Sequence, residues 1–264
     1  MKVLVTVKEV AQVEDEFEIA DREIAAQSLD YDLNEWDDYA IEEGVGMVED
    51  GVADEVVSVT VGPERSEETI RMALAKGVDR AIRVWDDSLE AADLLDPSAK
   101  AKILEAVVED EAPDLVLTGV QADDDAFGAT GVTLAERIGF QWAAVVNDLD
   151  LDADADVAHV HRELEGGVDE VTDVELPAVL TIQTGINEPR YASLRGIRQA
   201  QRKELDVRGL DDLGLDGSIA DGPLTLTEMY EPETESDATI WEGDAGETAG
   251  NLAEYLRDRG VIDA

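Results

Sequence analysis

Cysteine is absent from this sequence of 264 residues, and only two histidines and six lysines occur in it. The absence of cysteine excludes disulfide bonds, thiolate catalysis, iron–sulfur clusters and the usual structural zinc sites. Any redox role would therefore need an organic cofactor. The two histidines, His159 and His161, lie two apart on a predicted strand. We interpret them as surface residues rather than as a metal pair, and we expect no metal site.

Long apolar runs are also absent. No stretch approaches the roughly 20 apolar residues that a membrane-spanning helix needs. Charged residues begin at Lys2 and Lys8, and the first apolar run has only the length of a strand. We therefore expect neither a signal peptide nor a membrane span, and we expect a cytoplasmic location.

Positive charge is scarce, because 65 acidic residues face 20 basic ones and give a net charge of −45. Such a charge destabilises a compact fold through self-repulsion, and molar salt removes this penalty because the Debye length falls to roughly 3 Å. The acids are spread along the whole chain, which argues against a separate acidic interaction tail. We interpret the composition as that of a halophile protein in a high-salt cytosol, and we expect no nucleic-acid partner.

The apolar pattern predicts strands that alternate with helices over residues 1–145. Nearly continuous apolar runs predict buried strands at 1–7, 55–61, 81–85 and 114–119. Apolar residues at helical spacing, preceded by the capping residues Asn34, Ser66 and Asp96, predict helices at 34–50, at 66–77 and from 97 onward, and a further helix is predicted at 128–138. This alternation indicates an α/β fold with a doubly wound, mostly parallel, Rossmann-like sheet.

The pattern changes after residue 145. Residues 149–164 and 171–183 are predicted to form two strands joined by a Gly166–Gly167 turn, which we interpret as an antiparallel hairpin added to the main sheet. Periodicity is lost after residue 203, apart from a short helix predicted at 250–259. We therefore expect a main domain at 1–205 and an extended acidic C-terminal arm at 206–264 that wraps a partner subunit or stays mobile.

The first candidate site is the segment GVQADDDAFGATG at 119–131, which follows a predicted strand and begins a helix. Open α/β sheets bind ligands at the carboxyl ends of their strands, and a helix N-terminus offers free N–H groups to a phosphate. Gly128 and Gly131 would allow close approach of the backbone, and Thr130 adds a hydroxyl donor. The three adjacent aspartates would repel a phosphate unless they face ribose hydroxyls or cap the helix. Ligand binding and an ordinary acidic turn are therefore equal alternatives.

The second candidate site is LNEWDD at 33–38, at the end of the loop that follows the first strand. In a doubly wound sheet this loop lies beside the loop at 119, so that Asn34 and Trp36 would frame a base or a ribose. Without the fold argument, the favoured interpretation is that Asn34 caps a helix and Trp36 is a packing residue.

The third candidate is the basic segment RYASLRGIRQAQRK at 190–203. It contains five of the twenty basic residues and no acid. Tyr191, Leu194 and Ile197 recur every three residues, which gives an apolar stripe with a cationic border. We expect this segment to be a docking surface for an acidic partner or a phosphate, and its apolar stripe suits burial against another protein.

The hairpin and the basic segment carry a resemblance to a known family. The hairpin has a basic residue, an acid followed by two glycines, and a proline followed by aliphatic residues, namely Arg162, Glu165, Gly166, Gly167, Pro177, Val179 and Leu180. The run NEPRYASL at 187–194, with the basic helix after it, is more specific. With the loops at 33–38 and 119–131, these segments resemble the beta subunit of the electron transfer flavoproteins, the FixA-type group included, over about residues 1–205.

The resemblance implies an adenine-nucleotide-binding fold and an electron-carrier subunit without catalytic side chains of its own. Family members form a heterodimer with an alpha subunit and carry electrons from flavin dehydrogenases to a quinone oxidoreductase. The redox FAD lies mainly in the alpha subunit and is partly shielded by the beta subunit. The beta subunit holds a structural AMP, or a second FAD in the electron-bifurcating type.

Carried over by position, the resemblance implies two sets of contacts. The nucleotide contacts are Thr6, Asn34, Glu35, Trp36, Asp37, Val61, Gly119, Val120, Gln121, Ala122, Asp123, Asp124, Asp125, Ala126, Phe127, Gly128, Ala129 and Thr130. The partner contacts are Tyr191, Leu194, Arg195, Ile197 and Arg198, of which Leu194 matches an exposed leucine that inserts into partner dehydrogenases. The chain departs from the family pattern at Val120, where a basic residue is common, and at Ala126 and Phe127, which leaves AMP and FAD as alternatives.

Two other hypotheses are compatible with a similar sheet. A stand-alone nucleotide-binding enzyme or stress-type protein would need a glycine- and serine-rich phosphate loop, and the sequence has none. A halophilic scaffold with a vestigial loop would release no nucleotide on denaturation.

Overall fold

The computed structural model describes residues 1–92, 94–232 and 238–262. The strands are β1 (Lys2–Thr6), β2 (Glu9–Val13), β3 (Ile19–Ala20), β4 (Glu23–Ile24), β5 (Leu29–Leu33), β6 (Glu55–Val61), β7 (Arg80–Val84), β8 (Leu115–Gly119), β9 (Gln141–Asp152), β10 (Val157–Leu164), β11 (Val168–Glu175), β12 (Ala178–Ile182) and β13 (Leu205–Arg208). The helices are α1 (Glu35–Glu49), α2 (Glu67–Lys76), α3 (Asp87–Glu90), α4 (Pro97–Glu111), α5 (Thr130–Ile138), α6 (Leu194–Ala200) and α7 (Ala245–Asp258).

A nine-stranded sheet organises the fold, in the order β11-β10-β9-β12-β8-β1-β6-β7-β13. Neighbouring strands within the run β9-β12-β8-β1-β6-β7-β13 are all parallel, whereas β10 is antiparallel to both of its neighbours. The central strands are buried on both faces, as their continuous apolar sequences require. The predicted α/β class and the mostly parallel sheet are confirmed.

Helices cover both faces of the sheet. On one face α1 and α2 pack through residues such as Ile41 and Leu74 against alternate residues of the central strands. On the other face α4 and α5 pack through residues such as Leu104 and Leu134 against the remaining residues of those strands. Because α1 follows β1 and α5 follows β8, these neighbouring strands send their chains to opposite faces, and a crevice opens between them.

Where the sequence predicts a hairpin of two strands, the structure has four strands, β9 to β12. The first run is interrupted after β9 because the Asp152 carboxylate accepts hydrogen bonds from the N–H groups of Asp154 and Ala155 and forms a turn. The second run is interrupted at Pro177, which has no N–H to continue a ladder. The Gly166–Gly167 turn does join the antiparallel strands β10 and β11, but β12 lies elsewhere, between β8 and β9.

The end of the chain contains more structure than its periodicity suggests. Leu205–Arg208 forms β13, which pairs in parallel with β7 at the edge of the sheet. The chain divides into two compact units, Met1–Met229 and Tyr230–Ala264, so the first unit continues past residue 205. In the second unit the helix α7 begins earlier than predicted, because Asp244 and Glu247 form a capping box.

A small hairpin that the sequence pattern did not indicate follows β1. In it β2 pairs antiparallel with β5. Arg65, in the short 3-10 helix before α2, binds this hairpin through an ion pair with Glu9 at 2.8 Å and by stacking over the ring of Tyr31 at 4.1 Å.

None of the helices in the described part of the chain has the length and the apolar composition that crossing a membrane requires.

Candidate functional site

A cleft opens at the carboxyl ends of β1, β6 and β8. It encloses about 660 Å³, a figure that includes the open space at its mouth. The cleft is lined by Thr6, Val7, Lys8, Asn34, Asp37, Val59, Val61, Lys100, Leu104, Thr118, Gly119, Val120, Gln121, Ala122, Asp125, Gly128, Ala129 and Thr130. The two candidate loops, 33–38 and 119–131, therefore meet at one site.

Most of the sequence-predicted nucleotide contacts line this cleft, and six do not. The six are Glu35, Trp36, Asp123, Asp124, Ala126 and Phe127. Trp36 instead donates from Nε1 to Oε1 of Gln183 at 2.9 Å, and its Cβ lies beneath Gly119. Glu35 is exposed on the first turn of α1, and Phe127 is 38% exposed beside Lys100.

Six lining residues were missed, and three kinds of signal could have found them. Val59 lies two residues before Val61 on β6, so strand alternation places both on the same face. Lys100 and Leu104 are four apart on α4 and share one face of that helix. Val7 and Lys8 extend β1 into the loop, and Thr118 precedes Gly119.

Asn34 joins the two loops. Its side chain donates to the carbonyl of Gln121 at 2.9 Å and accepts from the N–H of Asp123 at 3.4 Å. The residue stands at the N-cap position of α1, but its side chain makes no capping hydrogen bond. The capping interpretation is therefore wrong, because the buried amide satisfies its hydrogen bonds on the neighbouring loop instead.

Asp37 bridges the carboxyl ends of β1 and β8. Its carboxylate accepts from the N–H of Lys8 at 2.8 Å and from the N–H of Gly119 at 3.0 Å, and it is almost fully buried. Burial raises the pKa of Asp37 to about 7, although the hydrogen bonds from the Lys8 N–H, the Asn34 side chain and the Gly119 N–H each lower it. The carboxylate thus fixes the spacing of the two strand ends at the cleft.

We expect Gly119→Ala to destabilise the protein, because an added Cβ would lie 2.6 Å from both Oδ1 of Asp37 and Cβ of Trp36. The overpacking should cost roughly 1–3 kcal/mol in the free energy of unfolding, measured by denaturant titration at fixed salt. Gly46→Ala is the matched control. An added Cβ there meets nothing within 4 Å in the interior of α1, so it should stabilise by up to about 1 kcal/mol. Equal effects of the two substitutions would contradict the close packing of Gly119.

Two of the three aspartates of the 119–131 loop form ion pairs with lysines. Nζ of Lys8 donates to Asp124 and, at 2.9 Å, to Oδ2 of Asp125, and Nζ of Lys100 donates to the same Oδ2 at 2.5 Å. Burial opposes ionisation of Asp125, but the hydrogen bonds from Lys100 and Lys8 outweigh it and hold its pKa below the ordinary value. The aspartate run therefore does not present three free negative charges to a ligand.

The N-terminus of α5 is part of the cleft wall. Among the described residues no side chain caps this helix, whose first residue is Thr130. Gly128 has a φ of +59°, a conformation that favours glycine. Gly131 brings the helix against the sheet, since an added Cβ would lie 2.5 Å from Oγ1 of Thr118. The arrangement presents backbone N–H groups and a hydroxyl to an anion in the cleft.

The basic segment 190–203 does not present all five of its cations to solvent. Arg190 is bound to Glu42 and Glu49 of α1, at 2.9 Å and 2.7 Å. Lys203 donates to carbonyl oxygens at and just after the end of α2, including Val78 at 2.6 Å. Acids and carbonyls from other elements therefore bind these two residues within the fold, and the exposed cations of the predicted docking surface are Arg195, Arg198 and Arg202.

The predicted partner contacts lie between these two anchors and are exposed. Tyr191 is 97% exposed, and Leu194, at the start of α6, is 78% exposed. Ile197 is also exposed, as are Arg195 and Arg198. We call residues 191–198 the docking segment. The docking segment combines an apolar surface with a cationic border.

Comparison with known proteins identifies the family. The family model described as "Electron transfer flavoprotein domain" matches residues 22–213. The chain is 43% identical over 264 residues to the electron transfer flavoprotein subunit beta of Methylophilus methylotrophus, with 98% of each chain covered. The chain belongs to the electron transfer flavoprotein beta-subunit family. The resemblance seen in the sequence is therefore confirmed.

More distant members of the family align over nearly the whole chain as well. The electron transfer flavoprotein subunits beta of Dictyostelium discoideum and Bacillus subtilis (strain 168) are each 31% identical to it. They cover 99% of this chain and 99% and 100% of their own lengths. The similarity to other beta subunits thus extends into most of the acidic segment after residue 205.

Proposed function

We propose that this beta subunit binds AMP as a structural nucleotide in the cleft at the ends of β1, β6 and β8, and pairs with an alpha subunit whose FAD it partly shields. The meeting of the loops 33–38 and 119–131 at one cleft is the observation that supports this most strongly. In this function the beta subunit provides binding surfaces rather than catalytic side chains.

The residues of the cleft are suited to an adenylate. Val59, Val61 and Leu104 provide an apolar wall for a base. The uncapped N-terminus of α5 and the hydroxyl of Thr130 provide donors for a phosphate. When bound, the nucleotide would supply no redox chemistry and would brace the two loops against each other. A second FAD is the alternative ligand.

The docking segment supports a role in transient electron transfer with flavin dehydrogenases and a quinone oxidoreductase. Such transfer needs a short-lived complex that brings cofactors close together. Inserting one leucine into a partner pocket contributes roughly 2 kcal/mol, which orients an encounter without making it permanent. Leu194 is suited to this role because it is exposed between two anchored ends.

The second compact unit supports the proposal that the C-terminal arm packs on the alpha subunit. Within its described residues the helix α7 has no buried side chain, and Ile240, Leu252 and Val261 are exposed. Trp241 and Tyr255 contact each other edge to face at 5.4 Å. A partner surface would cover these exposed apolar side chains. The net charge of −45 supports a high-salt cytosol as the working environment.

Purification under high salt tests the proposed function. Expression with the alpha subunit should yield a yellow complex of two different chains, and mass spectrometry of the denatured complex should find AMP in addition to FAD. Twice the amount of FAD with no AMP would identify the cleft ligand as a second FAD. A colourless solitary chain that releases no nucleotide would contradict the proposal and favour a scaffold, whereas ATP turnover by the chain alone would favour a stand-alone enzyme.

A further inference from the structure

We propose that Lys8 and Lys100 make the cleft selective for a nucleotide that carries a phosphate, and that the Asp125 carboxylate is an internal counter-ion which this phosphate displaces. This inference rests on the proposed nucleotide site, and it assigns the phosphate to two side chains in addition to the backbone donors of α5.

Two lysines from distant parts of the chain converge on one oxygen atom. Lys8 follows β1, and Lys100 lies on the first turns of α4. Both Nζ atoms are within hydrogen-bonding distance of Oδ2 of Asp125, at 2.9 Å and 2.5 Å. Both side chains line the cleft and are partly exposed, at 29% and 17%. The cleft therefore contains a pair of ammonium groups already arranged around an anionic oxygen.

Two of the few lysines of the chain lie at this cleft. Only six lysines occur in a sequence with a net charge of −45, and two of them line the same cleft. Lys76 and Lys203, by contrast, donate to groups outside the cleft and fasten the segment 190–203.

A phosphate is a better partner than the aspartate for these two ammonium groups. A phosphate monoester carries about −1.5 to −2 charges at pH 7 and three acceptor oxygens, whereas a carboxylate carries a single charge. Each ammonium group has three donors. The exchange leaves Asp125 still within reach of the N–H of Phe127, from which it accepts at 3.2 Å, and leaves the loop partly exposed to water.

The test compares AMP with adenosine, which differ only in the phosphate. Calorimetric titrations would use the full-length beta subunit in its purified complex, stripped of nucleotide, at one fixed KCl concentration. We expect Lys8→Gln and Lys100→Gln each to lower the preference for AMP over adenosine roughly tenfold, equivalent to about 1.4 kcal/mol. The affinity for adenosine itself should change by less than about threefold. Lys102→Gln, an exposed position on the same helix, is the matched control and should leave both affinities unchanged.

Asp125→Asn supplies a test with the opposite sign. Removing the counter-ion should tighten AMP binding several-fold and leave adenosine binding unchanged. An unaltered AMP affinity in this variant would overturn the role of Asp125. If the two lysine variants lose AMP and adenosine binding together, the lysines support the loop rather than recognise the phosphate, and the inference fails. If the wild-type protein binds neither ligand, the proposed function fails with it.

Discussion

Leu194→Ala is expected to slow electron transfer with partner dehydrogenases by about 30-fold, while the flavin content of the complex stays constant. Leu194 is 78% exposed at the start of α6, where it has little to stabilise within the beta subunit. Its burial in a partner pocket would contribute roughly 2 kcal/mol, and every 1.4 kcal/mol corresponds to about tenfold in an equilibrium constant. Stopped-flow measurement of the second-order rate constant, normalised to bound flavin, checks the prediction.

Val171→Ala is the matched control for this experiment. Val171 is also 78% exposed but lies on β11, at one edge of the sheet. The strand that follows the docking segment, β13, lies at the opposite edge. The Val171 substitution should leave the rate constant within about twofold. Loss of flavin from the Leu194 variant, with an unchanged rate per flavin, would place Leu194 at the interface between the subunits instead.

Lowering the salt concentration is expected to unfold the protein. The 65 acidic residues exceed the 20 basic ones by 45, so most carboxylates have no cation to pair with. Several cations are already committed to folded contacts, such as Arg190 with Glu42 and Lys76 with Asp38. Below about 1 M KCl the Debye length exceeds 3 Å, repulsion between the remaining carboxylates grows, and the melting temperature should fall steeply.

Thermal melts at a series of KCl concentrations measure this effect. Sucrose at matched water activity is the control, because it strengthens apolar burial without screening charge. We expect sucrose to restore only a small part of the stability that KCl confers. A melting temperature independent of KCl concentration would show that the surplus of acid does not limit the stability of the fold.

The central fold was predictable because its signals are local. The runs that became β1, β6 and β8 are apolar on both faces, and Asp96 with Pro97 starts α4 through a cap whose carboxylate accepts from the N–H of Ala99 at 2.9 Å. Such signals depend on neighbouring residues alone. The positions of β12 and β13 depend instead on which distant strand each one joins, and no local pattern encodes that choice.

The sequence indicated the two loops of the candidate site, but it did not indicate the hydrogen bonds and ion pairs that connect them. Asn34 has the sequence context of a cap, and only the approach of the loop at 119 gives its side chain a different partner. Arg190 looked like part of an exposed basic surface because its acidic partners, Glu42 and Glu49, lie more than 140 residues earlier. The shared contact of Lys8 and Lys100 with Asp125 was missed for the same reason, although local spacing indicates where each lysine lies. Charge pairs across long sequence separations become visible only after the elements are placed.

The strand order of the main sheet has a consequence for biosynthesis. β8 lacks its second neighbour until β12 has emerged from the ribosome, and β7 lacks its second neighbour until β13 has emerged. Unpaired edges are templates for pairing with other chains. At about 5–20 residues per second, the edge of β7 stays open for on the order of ten seconds of translation. Nascent chains on one polysome must therefore be kept apart during this interval by something other than charge repulsion, because the high salt proposed as the working environment screens it.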